Sequence, residues 1–463
     1  MSLTPAPQPA SNLPPPLPPT DAKASWRAWV SWAVIVGCVV LVVSVNFTRK
    51  QKPREADGPT AQQLMMFRYA IGADRALGTL AGTQPANSAG AQVARQMRSN
   101  ASTDADRLYA GLLTCVVHAR EQGLADVAAA LDSSDANVRA AAEAFLAILD
   151  APGPRVTDTA RQALVDRHKW IGRYVVATVD PSRSDERSVL QAEAVRTFSV
   201  LAGFLAVVVV ALLVGVALLV TGVVLLLTGK LRFAIAEGAG RDVALLEAFA
   251  LYLGLMTAGL VWGASDLPGG RAVGLPLLVL AFALGIGWPF LGRREGTTTT
   301  DIRRALGLHR GRGVLIETLA GVAGYIALLP VMALGILITF TLTRISGADA
   351  SHPIGDELTG PLAVFILLTS FAAVFAPVSE ELMFRGAFFG HLRTRVHWVA
   401  AAGIIGVIFG AIHPQGWAGV PAIAMVGFNM AVLRQWRGSI IAPIVAHALN
   451  NGTIVLMVGL ALR

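Results

Sequence analysis

The stretch FSVLAGFLAVVVVALLVGVALLVTGVVLLLT, residues 198–228, decides the fold class because it carries no charged side chain. A helix needs about 20 apolar residues to cross roughly 30 Å of hydrocarbon, and this stretch exceeds that length. Eight further apolar blocks occupy residues 26–47, 245–263, 272–291, 314–343, 361–377, 399–412, 420–433 and 440–462. We therefore predict an all-α fold, a polytopic transmembrane helical bundle of about nine spans.

Composition and charge support the same class. Of the 463 residues, 54% are hydrophobic and 15% are charged, whereas soluble domains are about 25% charged. A net charge of +8 would suggest nucleic acid in a soluble chain, but most Arg and Lys residues here lie in short loops between apolar blocks. We therefore expect membrane lipid as a partner and no nucleic acid. Cys38 lies in an apolar block and Cys115 in a polar segment, which predicts no disulfide between them.

The apolar blocks divide the chain into five segments. These are a disordered Pro-rich tail (1–25), a first transmembrane anchor (26–47), a helical soluble domain (48–197), a group of transmembrane helices (198–343) and a C-terminal membrane core (344–463). The soluble domain is predicted to be α-helical because Ala, Leu and Val recur at helical spacing in stretches such as NVRAAAEAFLAILDA. No pattern in the sequence indicates an oligomeric state.

Basic residues mark alternate connections between the spans, which predicts that these connections are cytoplasmic. They are Lys230, Arg232 and Arg241; Arg293, Arg294, Arg303, Arg304, Arg310 and Arg312; Arg393 and Arg395; and Arg434 and Arg437. This assignment places the N-terminus in the cytoplasm and residues 48–197 on the extracytoplasmic side. The basic residues at 49–54 would then lie outside the cytoplasm, against the positive-inside rule, but long translocated segments follow that rule weakly. The richness in Ala, Gly and Val favours a bacterial inner membrane.

Charged groups in hydrocarbon are costly, so those within apolar sequence are candidates for function, whereas those at the ends of spans can reach water. Glu247 and Glu317 lie near block ends, and we interpret them as interfacial. In APVSEELMFRGAFFGHL, Glu381 and Arg385 are four residues apart and form a predicted ion pair, with Glu380 about 100° away. A partly desolvated carboxylate outside that pair suits general-base work on water. A charged helix start at the membrane surface is the alternative.

Two further motifs lie in the blocks that follow. In FGAIHP, Phe409 precedes His413 by one helical turn, and in HALNN, His447 and Asn451 share a helical face. Taken singly, His413 could be an interfacial residue, and the other two could be polar contacts between helices. Together with Glu380 they form a set that can activate water and stabilise an oxyanion.

EELMFR, FGAIH and HALNN, in this order on successive apolar blocks, resemble the three motifs of the CAAX prenyl endopeptidase and bacteriocin-processing (CPBP or Abi) family of intramembrane metalloproteases. The resemblance covers residues 358–462. It implies an all-helical intramembrane endopeptidase, which hydrolyses a peptide bond in a membrane-associated peptide or protein. It also implies that residues 344–463 form the peptidase core.

The resemblance implies roles for individual residues. Glu380 and His413 would activate water, while His447 and Asn451 would hold the oxyanion. Supporting roles are implied for Glu381, Arg385 and Phe409. Zinc is the metal that the family suggests, and Glu380, His413 and His447 could supply the three protein ligands of a catalytic zinc site. An equally physical mechanism has no metal and polarises the water directly.

Two other functions are compatible with the sequence. The same fold could act as a non-catalytic membrane scaffold or a bacteriocin-immunity-type binding protein, with its polar residues kept as contacts between helices. A transporter could use a buried Glu as a proton site, but no inverted repeat of interrupted spans supports it. We predict the endopeptidase because the motif set is complete.

The predicted topology separates two of the site residues. Glu380 would lie at the cytoplasmic end of one span and His413 about 25 Å along the next. We predict that the chain breaks at Pro377 and that residues 379–395 dip into the protein. The alternative is one long tilted helix over residues 358–395. In either arrangement, an active site requires Glu380 to lie within about 12 Å of an imidazole.

Overall fold

The computed structural model describes residues 22–48, 58–81, 88–101, 103–149, 158–235, 243–264, 270–293, 296–346, 348, 358 and 360–462. The predicted disordered tail, residues 1–25, lies almost wholly outside these ranges. Every regular element within them is helical, which confirms the all-α fold class.

In chain order the helices are α1 (Ala22–Thr48), α2 (Ala61–Ala81), α3 (Ala89–Ser99), α4 (Asp104–Val117), α5 (Arg120–Ala129), α6 (Ala136–Leu149), α7 (Asp158–Val179), α8 (Ser184–Leu227), α9 (Val243–Ala264), α10 (Gly270–Leu291), α11 (Thr299–Leu306), α12 (Val314–Ser346), α13 (Leu362–Leu392), α14 (Trp398–Ala411), α15 (Gly416–Arg437) and α16 (Ile441–Leu462). Short 3₁₀ turns occupy Ala130–Asp132 and Pro181–Arg183.

Seven of the described helices are long and apolar enough to cross a membrane, namely α1, α8, α9, α12, α13, α15 and α16. Two shorter apolar helices join them, Pro276–Leu291 within α10 and the whole of α14. Each of these helices overlaps one of the predicted apolar blocks, but α8 begins well before its block and α13 ends well after its block. The chain is therefore a polytopic helical membrane protein.

The helices between α1 and the membrane bundle pack around a core of their own. Phe67, Tyr109 and Phe145 are among its buried side chains, and the first turns of α8 add Leu190 and Ala194. Helix α8 then continues into its apolar stretch without interruption, because nothing in its sequence stops a helix there. The boundary predicted between residues 197 and 198 therefore falls inside a single helix.

The basic connections meet at one end of the bundle. Their contacts there include Arg393 to the Ile235 carbonyl (3.3 Å), Arg434 to the Ala305 carbonyl (2.9 Å) and Arg437 to the Glu317 carboxylate (2.7 Å). The helical domain lies against the other end, where Thr197 donates to the Ala461 carbonyl at 2.6 Å and Arg68 donates to the Leu462 carbonyl at 3.0 Å. The last helix, α16, thus runs from the basic end to the helical domain.

Helix α13 carries Glu380 and does not break at Pro377, so that prediction is wrong. The backbone is helical on either side of the proline, with φ −60° and ψ −49° at Ala376. Two π-helical segments, Phe371–Phe375 and Glu381–Phe388, flank this point. A π turn widens the helix by one residue, which accommodates both the ring and the missing N–H of proline. The alternative prediction, one long helix, is the arrangement that the structure has.

Candidate active site

The predicted ion pair between Glu381 and Arg385 lies inside the bundle. Glu381 Oε1 is 2.9 Å from an Arg385 guanidinium nitrogen, and both side chains are fully buried. The guanidinium also donates to the Gly427 carbonyl at 2.9 Å and lies 4.7 Å from the centroid of the Phe409 ring. These contacts offset part of the cost of burying two charges away from water, because Glu381 Oε2 and Arg385 Nε have no hydrogen-bond partner among the described residues.

His447 connects this ion pair to Glu380. Its Nδ1 lies 2.8 Å from Glu381 Oε1, and its Nε2 lies 3.8 Å from Glu380 Oε2. A carboxylate that pairs with arginine only accepts hydrogen bonds, so Nδ1 of His447 donates and Nε2 is the basic nitrogen of the neutral ring. Arg385, Glu381, His447 and Glu380 therefore form one continuous chain of polar groups, which we call the polar chain.

The two neighbouring glutamates differ in exposure. The Glu381 side chain has no accessible surface, whereas 22% of the Glu380 side chain is accessible. A small molecule beside α13 can therefore contact Glu380 but not Glu381. The distance of 3.8 Å between Glu380 and His447 also lies well within the limit of about 12 Å that an active site requires.

Phe409 holds the second histidine beside the polar chain. Its ring centroid lies 4.4 Å from that of His413 and 5.9 Å from that of His447. The backbone carbonyl of Phe409 lies 2.5 Å from Nδ1 of His413. Because a carbonyl only accepts, Nδ1 carries the proton and Nε2 is the basic nitrogen of His413. The last turn of α14 therefore sets both the orientation and the tautomer of this ring.

Asn451 contacts α13 one turn before Pro377. Its Nδ2 donates to the Ala372 carbonyl at 3.0 Å. In this π turn the Ala376 N–H donates to the Phe371 carbonyl, five residues earlier. The same pattern would have residue 377 donate to the Ala372 carbonyl, but residue 377 is proline and has no N–H. The Asn451 amide replaces that missing donor. It thereby stabilises the turn of α13 that leads to Glu380.

Comparison with known proteins identifies the same part of the chain. The family model described as Rce1-like, type II CAAX prenyl endopeptidase, matches residues 362–453. This range contains the polar chain together with Phe409, His413 and Asn451. The membrane-embedded CAAX protease MroQ of Staphylococcus aureus (strain USA300) is 24% identical over 132 residues, which are 27% of this chain and 53% of that protein. Residues 362–453 belong to the CAAX protease family.

The likeness is limited in extent. The chain spans about half the length of the curated relative that it matches. No solved structure matches the chain significantly. Helices α1 to α12 lie before the matched residues, so their contribution to the CAAX protease domain has to be inferred from their own contacts.

The donor arrangement in the CAAX protease domain does not fit a zinc site. Among the residues that the structure describes, no three His, Cys, Asp or Glu side chains are grouped as ligands of one ion. A catalytic zinc ion takes three protein ligands at about 2.0–2.2 Å. Glu380, His413 and His447, the set that the family resemblance implies, are not assembled in that way.

Some contacts of the CAAX protease domain have no signal in its motifs. The spacing of Glu381 and Arg385 predicts their ion pair, but it does not show that the same carboxylate also binds His447. Nor does any pattern show that Asn46 of α1 donates to the His413 carbonyl at 3.0 Å. Both contacts join residues on different helices, and only the packing of the bundle brings them together.

Proposed function

We propose that this chain is an intramembrane endopeptidase in which Glu380 activates the attacking water. That residues 362–453 form a CAAX-type membrane protease domain rests on the family likeness. The finer assignment is supported by one observation, the polar chain that ends in a single accessible carboxylate. Glu381, which pairs with Arg385, fixes the orientation of His447, and His447 lies beside the Glu380 carboxylate. The reactive carboxylate is therefore positioned by buried groups on one side and accessible on the other.

The reaction needs two proton transfers, one from water to Glu380 and one from Glu380 to the leaving amine. Glu380 accepts a proton from water, and the resulting hydroxide forms a bond with the scissile carbonyl carbon. The carbon–nitrogen bond then breaks as Glu380 returns the same proton to the leaving amine. His413, whose Nε2 is its basic nitrogen, accepts a hydrogen bond from the water and orients it.

The negative charge on the tetrahedral intermediate also needs a donor. Glu380 passes the proton that it takes from water to Nε2 of His447, which offers this Nε2–H to the oxyanion and returns the proton through Glu380 to the leaving amine, while Glu381 accepts from Nδ1–H and stabilises the positive ring. Asn451 supports this arrangement through α13 because it fixes the turn before Glu380. His447 therefore works between two carboxylates, one that orients it and one that reacts.

This mechanism uses no metal, as the donor arrangement favours. We expect activity to persist after treatment with a chelator, at less than about 0.1 zinc ion per chain, since a catalytic metal would be needed at one per site. Metal analysis and activity measured on the same samples check this. One zinc ion per chain, with activity that is lost on its removal and returns on its addition, would make the enzyme a metallopeptidase instead.

The substrate is a peptide or protein segment in or at the membrane, because the polar chain lies among the apolar helices α13 to α16. We further propose that the basic end of the bundle is cytoplasmic, as the positive-inside rule requires, in a bacterial inner membrane. The helical domain then lies on the extracytoplasmic side. Labelling of single cysteines introduced at exposed positions of each end, in intact cells, tests this orientation.

The test of the proposed activity is cleavage of membrane peptides by the purified protein in detergent. Glu380→Gln and His413→Ala should each lower the rate by at least about 100-fold while thermal unfolding stays at the wild-type temperature. Glu247→Gln is the matched control, because Glu247 pairs with Arg27 outside the polar chain. Equal rates in all four proteins, or binding without cleavage, would support the non-catalytic scaffold.

A further inference from the structure

Helix α1 lies outside the residues that match the CAAX protease family, yet it packs along the helices that carry the active site. At its start, Arg27 makes two hydrogen bonds to the Glu247 carboxylate, at 2.5 and 2.6 Å. Farther along, the Trp32 ring contacts the Phe388 ring of α13 edge to face, with centroids 5.7 Å apart. One ion pair and one ring contact therefore hold the first half of α1 against the bundle.

The contact at the other end of α1 is polar. Asn46 Nδ2 donates to the His413 carbonyl at 3.0 Å and lies 3.4 Å from the Ala411 carbonyl. Ala411 is the last residue of α14, where the last carbonyl groups of a helix have no donor in the following turn, and His413 lies two residues beyond it. Pro414 comes next and cannot donate. A side chain from α1 therefore donates to two carbonyls, one at the end of α14 and one in the loop that follows it.

These hydrogen bonds act on the residue that bears the imidazole. The His413 ring is held at Nδ1 by the Phe409 carbonyl, and the His413 backbone is held at its carbonyl by Asn46. Because the ring and the backbone of His413 are each held by a hydrogen bond, the direction of its Nε2 is fixed. We propose that Asn46 is a positioning residue for His413, so that α1 is part of the active-site structure and not only an anchor. This proposal rests on the proposed function of His413.

The kinetic effect follows from the role of His413. Because His413 orients water and does not bind the substrate, a displaced ring lowers kcat and leaves KM near its wild-type value. A displacement of about 1 Å can cost about 100-fold in rate. We therefore expect Asn46→Ala to lower kcat by about 10- to 100-fold. Asn46→Asp should lower it as much, because an ionised carboxylate of the same shape cannot donate to a carbonyl. Asn46→Gln keeps the donor and should give an intermediate kcat.

Two variants of α1 separate positioning from general loss of packing. Ser31→Ala removes a hydroxyl that bonds only to the Arg27 carbonyl within α1, and it should leave kcat unchanged. Arg27→Ala releases the other end of α1 from Glu247 and should lower the unfolding temperature more than kcat. If Arg27→Ala lowers kcat as much as Asn46→Ala does, the effect belongs to docking of α1 as a whole and the proposal is wrong.

A second measurement does not depend on activity. The ¹⁵N resonances of the histidine rings report their tautomers, and His413→Ala identifies the His413 signals among those of the eight histidines. Asn46→Ala should shift the His413 ring signals and leave those of His447 in place. Wild-type kcat together with unshifted His413 signals in Asn46→Ala would overturn the proposal. A shifted signal in a protein that never cleaves peptides would support the contact and reject the proposed function instead.

Discussion

The helical domain and the membrane bundle bury polar groups in different ways. The core of the helical domain is apolar, and its buried His168 forms a hydrogen bond with the Tyr109 hydroxyl at 2.8 Å. The bundle buries a guanidinium and a carboxylate with no accessible surface at all, Arg385 and Glu381. The helical domain also buries the Arg68 guanidinium, but its partner Glu193 is 35% accessible. Charges are costlier in lipid than in a soluble domain, and the pair with both members fully buried lies where that cost is higher. This difference is what the proposed function of the polar chain would require.

The two regions should also differ in how much stability is lost when one carboxylate of an ion pair is neutralised. In the bundle, Glu381→Gln would leave the buried Arg385 charge uncompensated and would release His447. We expect this variant to lower the free energy of unfolding by about 3–5 kcal/mol and to abolish cleavage. Thermal and chemical unfolding in detergent, followed by the peptide assay, measure both effects.

The matched replacement in the helical domain is Glu193→Gln. Glu193 lies 3.3 Å from Arg68, but 35% of its side chain is accessible, so the loss should be at most about 1 kcal/mol. Equal destabilisation by the two variants would contradict the contrast between the regions.

The helical domain should lose stability in acid because of His168. Burial of this ring lowers its pKa to about 4, below the usual value of 6.5. Between these pH values only the unfolded chain binds the proton, so this contribution to stability is complete above pH 6.5 and is lost as the pH falls toward 4. The expected loss is about 3 kcal/mol.

Unfolding of the domain, followed by circular dichroism from pH 7 to about 4.5, measures this dependence. His168→Gln should flatten the curve over that interval, because its amide does not titrate. A wild-type curve that is already flat would show that the ring is not buried in its neutral form.

The smallest expected effect lies where the two regions meet. Thr197 of α8 donates to the Ala461 carbonyl at the end of α16, the helix that carries His447 and Asn451. Thr197→Val should cost about 1–2 kcal/mol and lower kcat by a few-fold, because the end of α16 loses one attachment. Thr221→Val is the control, since that hydroxyl bonds only within α8 and is exposed. A kcat change of the same size in both variants would indicate a general effect on α8.

The spans were predictable from the sequence for a simple physical reason. A bilayer requires about 20 consecutive apolar residues, and seven of the nine predicted blocks lie in described helices that are long and apolar enough to cross it, while the other two lie in shorter apolar helices. The spacing of Glu381 and Arg385 likewise predicts their contact, because residues four apart share a helical face.

The errors arise where the backbone or the packing departs from a regular helix. A proline usually ends or kinks a helix, but at Pro377 two π segments and the amide of Asn451 compensate for it. The link from Glu381 to His447 and the one from Asn46 to His413 cross between helices that are distant in sequence. Periodicity within one helix carries no information about such contacts, so they required the structure.

The central claim is that the accessible glutamate of the polar chain performs the chemistry. The most direct measurement is kcat for two matched variants in liposomes, Glu380→Gln and Glu247→Gln, each replacing one glutamate of a membrane helix. We predict a fall of about 10²- to 10⁴-fold for Glu380→Gln and a change within about threefold for Glu247→Gln. A Glu380→Gln enzyme that cleaves at the wild-type rate would contradict the account.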